Sequence, residues 1–357
     1  MSAADIALLV LGAAVVLGVL YDLGATTISL SAVRGPVSGR VSAMVWALGN
    51  RSRSKRRRLQ RITGPLLLVS ILIGWFVGLT IGWTLIFSAD GALTSTAEPE
   101  QQTSRVRWID ALFFVFGRLV GTGSSNLEPD EAGWSTAVAL LTLSGVILLT
   151  LVIAWILPVV AAVVQKRALA SKISTLGGSP QDIICTSWTG RDLGDLNLHL
   201  LPLIGELTIL AQRHLAYPVI HYFHSSADRT AMGPRLAALD EALTIISAAG
   251  LDDVERGTGL DVSVTRPLRQ AISDHLSVLD HVFIGPSEVI PDPPTIDRLV
   301  EAGIVDGDVV EPALAERTAD LETRRALLHG YVEHDGWTWS SVCEDADAEE
   351  RDPERTS

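Results

Sequence analysis

Residues 108–123 read WIDALFFVFGRLVGTG. The first twelve of them make about three turns of apolar helix, too short for the roughly 20 residues that cross a hydrocarbon core about 30 Å thick. They run directly into Val120-Gly121-Thr122-Gly123, a glycine-rich stretch that ends a helix. The runs on either side are long enough to cross: neither 62–89 nor 132–165 contains a charged residue. A third apolar run, 6–27, is interrupted only by Asp22. It is too long for a cleaved signal peptide and no Lys or Arg precedes it, so it is read as a further span.

Charge orients these runs. The chain has 357 residues and a formal charge of −13, unevenly spread, and charged residues are only 19% of it. Residues 34–61 carry nine Lys/Arg and no acid, between two spans. A nucleic-acid site is one reading of that basic run, but flanking spans make it a cytoplasmic loop by the positive-inside rule. The N-terminus is then outside, everything after Lys166 is inside, and 90–104, with three acids and no base, is outside. Residues 41–48 are apolar and suit a helix on the inner membrane surface. Gly74, Gly78 and Gly82 share one face of the second span and allow close approach of another helix.

A short helix that enters the membrane, turns through glycines and leaves is re-entrant, and non-helical backbone at that depth must be buried in protein or line water. Its expected use is a pore. The stretch from Pro65 to Arg167 resembles the two-helix pore module of the potassium-channel superfamily, with outer helix, pore helix, filter and inner helix. The resemblance implies that carbonyls of Leu119, Val120, Gly121, Thr122 and Gly123 replace an ion's water in a homotetramer. It also implies a hinge at Gly145, with Pro158 as a lower kink. Val120, Gly121 and Gly123 match the family filter Thr-Val-Gly-Tyr-Gly-Asp, whereas Leu119, Thr122 and Ser124 replace its Thr, Tyr and Asp. Arg118 beside the filter would place four positive charges near the ion path unless each meets a carboxylate, such as Asp110 of a neighbouring copy. Glu128, Asp130 and Glu131 at the outer mouth read as a cation-concentrating ring, or as solvated charges favouring the third helix's N-terminus.

The second half has ordinary soluble composition. Amphipathic patterns near 196–213, 234–249, 267–279, 295–302 and 312–331 predict a compact helical domain, separated by turn signals such as Gly250, 257–259 and Pro291-Asp292-Pro293-Pro294. No strand–GxGxxG–helix pattern is present, so no nucleotide cofactor is assigned. Cys185 and Cys343 read as reduced thiols. No nucleophile elbow or metal motif supports an enzyme. His214, His221 and His224 read as a packing segment docking near the membrane; a metal site or pH sensor at His221 and His224 is the weaker alternative.

The chain is therefore expected to be an all-α membrane protein with three transmembrane helices, a re-entrant pore helix and filter loop, and a cytoplasmic, mostly helical domain. Its parts are a first helix (1–30), a basic loop (31–61), a pore module (62–167), a helical domain (181–340) and a disordered acidic tail (341–357). The expected activity is a homotetrameric potassium-channel-like cation channel in the cell membrane, needing no cofactor beyond the permeant K+ or other monovalent cation and binding no nucleic acid. The alternative is a non-conducting or non-selective sensor or scaffold of channel fold.

Overall fold

The structure, a computed structural model, describes residues 2–28, 56–89, 91–95, 108–123, 126–252, 260–280 and 284–343. The expected surface helix at 41–48, Ser124, the turn at 257–259 and the acidic tail from 344 lie outside the described residues.

Among the described residues three helices are long and apolar enough to cross a membrane: α1 (Ala3–Ile28), α2 (Arg56–Phe87, apolar from Ile62) and α4 (Ala132–Leu176). Between the last two lie strand β1 (Leu93–Ser95), helix α3 (Trp108–Val120) and strand β2 (Leu127–Pro129). The end of the basic run, from Arg56, is already helical as part of α2. The two short strands, which the sequence reading did not foresee, pair antiparallel with Thr94 opposite Glu128.

The chain divides into two compact units. The first holds α1, α2 from Pro65, the hairpin, α3 and α4 as far as Val159. Here α1 and α2 run antiparallel at close range. A Cβ on Gly12 would lie 2.6 Å from the Gly82 carbonyl, and one on Gly78 would lie 2.7 Å from Val19. Two of the three glycines on the second span thus seat the first span, by the small-residue packing that joins helices in lipid. Asp22, fully buried, accepts a 2.7 Å hydrogen bond from the Trp75 indole.

The second unit begins at Val160, so the last turns of α4 belong to the C-terminal core through Leu169, Ile173 and Leu176. Gly177 and Gly178 end α4, and Ser179 then caps α5 (Pro180–Ser187): its side chain accepts from the Asp182 N–H, and Asp182 reaches back to the Ser179 N–H. There follow α6 (Leu196–Ala216), a 3-10 turn (Pro218–Tyr222), α7 (Met232–Ala248) and α8 (Val262–Asp280). The chain ends, among the described residues, with α9 (Asp297–Glu301), α10 (Gly307–Asp320), α11 (Glu322–His334) and α12 (Ser340–Cys343).

Helix α7 is the central post, buried from Met232 to Ile246. Its charges are paired: Arg324 Nε donates to Asp240 (2.8 Å) and Arg325 Nε to Glu241 (2.7 Å). Arg325 also donates to the carbonyls of Pro291 and Asp292, pinning the proline-rich turn. The single helix expected over 312–331 is in fact two, α10 and α11, broken at Leu321 (φ −101°, ψ 13°). No Gly or Pro marks that break; the pairing of Arg324 and Arg325 with the carboxylates of α7 orients α11 independently of α10.

Candidate functional site

Helix α3 is amphipathic, with Ala111, Phe114, Val115, Gly117 and Leu119 buried while Trp108, Phe113 and Val120 are exposed. The buried face wedges between α2 and α4. Phe114 meets Phe87 edge-on, with centroids 5.5 Å apart, and Phe116 meets Phe76 in the same way at 5.5 Å. Across the same site the Trp83 indole donates to the Ser144 hydroxyl (3.0 Å), tying α2 to α4. At its C-terminal end α3 reaches Gly145, where a Cβ would lie 2.6 Å from the Leu119 carbonyl oxygen.

These contacts fix how deep α3 goes. Phe76 stands eleven residues before the end of α2 and Gly145 thirteen residues after the start of α4. At 1.5 Å per residue, the tip of α3 lies about 16–20 Å down from the ends of both long helices. The chain that enters and leaves this excursion is clamped at the neck by the β1–β2 pair, with Asp130 N–H donating to the Ala92 carbonyl.

At the tip the backbone turns left-handed, at Gly121 (φ +83°) and Gly123 (φ +64°). The Gly117 carbonyl accepts from the N–H groups of Thr122 (2.9 Å) and Gly123 (3.2 Å) and from the Thr122 hydroxyl (3.2 Å). This is a Schellman-type helix end, in which glycine supplies the conformation a side chain would resist. Val120 through Gly123 are exposed.

Val120, Gly121, Thr122 and Gly123 form the exposed tip. Leu119 is buried, and its carbonyl lies against Gly145 of its own chain. Gly145 accordingly serves as the seat of α3, a role that small size alone explains. Helix α4 continues through Pro158. Arg118 folds back with its guanidinium 5.3 Å over the Phe114 ring and a nitrogen beside Gly123. Among the described residues no carboxylate pairs with it, and its Nε is buried without a hydrogen bond. Glu128 lies exposed on β2 and Asp130 just beyond it, at the neck and not at the tip.

A second concentration of functional groups, in the C-terminal unit, was only half legible. His214, His221 and His224 do gather, and His275 and His334 join them from α8 and α11. Lys166, near the end of α4, forms a buried ion pair with Asp335 (3.5 Å) and donates to the Phe223 carbonyl (3.3 Å). No spacing rule links residues 166, 275 and 335; only the fold brings them together. No group of three or more His, Cys, Asp or Glu among the described residues is arranged to hold a metal ion.

A protein of Bacillus subtilis (strain 168) named Uncharacterized membrane protein YdjJ is 28% identical over 319 residues, covering 88% of this chain and 89% of the relative. No family model matches the chain, and no solved structure matches it. The likeness covers both units, and with three helices of spanning length it places the chain among membrane proteins.

Proposed function

We propose that the chain is one subunit of a potassium-channel-like cation channel, assembled as a homotetramer around the tip of α3. One observation carries this reading: the exposed backbone of Val120–Gly123, left-handed at Gly121 and Gly123, lies about halfway along two helices of spanning length. At that depth lipid offers no hydrogen bonds, so exposed backbone must meet protein or water. The described residues leave the tip exposed. Other copies around a water-filled axis satisfy both needs, and they aim the remaining tip carbonyls at a cation.

In this reading α3 is the re-entrant pore helix, α2 the outer helix and α4 the inner helix. The basic run before α2 sets the basic loop and the C-terminal unit in the cytoplasm and the N-terminus outside. Glu128, Asp130 and Glu131 then stand at the outer mouth, where fourfold repetition concentrates cations. The permeant ion is K+ or another monovalent cation.

Arg118 favours a second reading, a non-conducting or non-selective sensor of the same fold. Its guanidinium sits beside Gly123 with no carboxylate partner among the described residues, and four of them would repel cations.

The purified chain in liposomes, tested for K+ and Na+ flux under equal gradients, separates the two. K+ flux well above both Na+ flux and empty vesicles supports the selective channel, and equal fluxes support a non-selective pore. Absence of flux in a proven tetramer, appearing only in Arg118→Thr with Leu119→Thr, supports the sensor.

A further inference from the structure

Five of the eight histidines of the chain form one buried row. The ring centroids of His334 and His221 are 4.3 Å apart, those of His221 and His214 6.5 Å, and those of His214 and His275 5.2 Å; His224 lies 5.8 Å from His334. The row begins at half-buried His334 and ends at His275, which is fully buried. His214 donates from Nδ1 to the Leu210 carbonyl (3.0 Å), which leaves its buried Nε2 a lone pair with no donor. Neither ring nitrogen of His275 has a hydrogen-bond partner.

Each packed element contributes a group that faces the row. Helix α4 brings Lys166, the 3-10 turn brings Tyr222 beside His221, and α11 brings Tyr331 with Asp335 at its end. Lys166 also lies over the Tyr331 ring, 6.0 Å from its centroid. The same segment holds the start of α2, because a Cβ on Gly64 would meet the Phe223 ring at 2.7 Å. One histidine-lined patch therefore grips the ends of two spanning helices.

We propose that this row is a proton-operated release, in which acid favours an open arrangement that frees Lys166 and Phe223 from their seats. The closed row keeps His214, His221 and His275 neutral, since burial and the nearby Lys166 ammonium both oppose further positive charge. An open row, hydrated, takes up protons near their ordinary range. Each such proton shifts the balance toward opening. Protonated His224 and His334 then compete with Lys166 for Asp335, whose carboxylate faces all three. The ligand is a proton because the imidazoles do not converge on a single point as metal ligands would. The proposal rests on the geometry of the C-terminal unit and holds whether or not the chain conducts.

The test is hydrogen–deuterium exchange of the full chain in nanodiscs from pH 7.5 to 5, with exchange times scaled for the intrinsic rate. Segments 214–224 and 329–336 are expected to lose protection below about pH 6.5, about tenfold between pH 7.5 and 5.5 for each histidine that opens. Helix α7 should stay protected throughout. Loss of α7 protection at the same pH means global unfolding and overturns the proposal. So does a midpoint below about 4.5, which would assign the effect to carboxylates. The double variant His214→Phe/His275→Leu is expected to lose about a hundredfold less protection between pH 7.5 and 5.5 than the parent, tenfold for each histidine removed, and a response like the parent's overturns the proposal. Selective 15N-histidine spectra of the unmodified protein give an independent check. Imidazolium signals should grow with the loss of protection, and rings that stay neutral through it refute the proposal.

Discussion

In the unit built from the spans, buried polar side chains accept hydrogen bonds from neutral indoles, Asp22 from Trp75 and Ser144 from Trp83, while the Ser144 hydroxyl also donates to the Leu141 carbonyl. In the C-terminal unit, whole ion pairs are buried, among them Asp240 with Arg324, Glu241 with Arg325 and Lys166 with Asp335. Lipid is as apolar as a leucine side chain, so association inside it depends on close packing at small residues and on a few hydrogen bonds. A domain in water has the hydrophobic effect to hold it, and α7 sits in a core of leucines and isoleucines that tolerates charge wherever a partner is at hand. The first unit also leaves glycine-rich backbone exposed at its tip, whereas the second buries its central helix from Met232 to Ile246.

The largest effect should come from the buried pairs. Arg325→Leu leaves Glu241 buried without its cation and should cost about 3–5 kcal/mol, lowering the Tm of the C-terminal unit by about 10 °C. A fall of under about 2 °C would mean that Glu241 gives up its charge, and the contrast between the units would weaken. Next comes acid. Burial pushes His275 down to about 3, and it holds His214 and His221 well below their ordinary 6.5, helped by the neighbouring imidazoles His275 and His334 respectively. All three are neutral when folded and take up protons when unfolded. Stability is therefore complete above about pH 6.5 and falls as the pH drops through it, by roughly 1 kcal/mol per histidine between pH 6.5 and 5.5. Chemical denaturation of the full chain at several pH values checks this; a flat profile sinks it.

Smaller effects belong to the spans. Gly145→Val drives a side chain into the Leu119 backbone, which should cost about 1–3 kcal/mol and unseat α3. The measurement is the oligomer fraction by size-exclusion chromatography, and an unchanged fraction would remove Gly145 from the site. Trp75→Phe deletes the indole donor to Asp22 and should cost only about 1 kcal/mol, since membrane hydrogen bonds average less than that. Thermal denaturation in micelles reads the difference. A loss of several kcal/mol would show that polar contacts, and not glycine packing, hold the first span.

How far the sequence could be read follows from the range of the forces involved. The three candidate spans were legible because a lipid-facing helix needs a long uncharged run, and α3 was legible as a mostly apolar stretch between two of them that is too short to cross. The tip at 120–123 was visible through its glycines, but the contact of Leu119 with Gly145 was not: nothing local tells which residue of a short helix seats on the next one. The split at Leu321 was missed because neither Gly nor Pro marks it.

The hydropathy and charge of the chain, read alone, determined three candidate spans, the short apolar helix between the last two and the helical character of the second half, because each depends on neighbours a few residues apart. The tertiary structure alone decided that Gly145 is the seat of α3, that the end of α4 belongs to the C-terminal core, and that Lys166, five histidines and Asp335 share one buried patch. Those contacts join residues up to 169 positions apart, from Lys166 to Asp335. They arise because α4 runs unbroken through Leu176 and carries Lys166 into the C-terminal core, where burial forces its charge to find a partner.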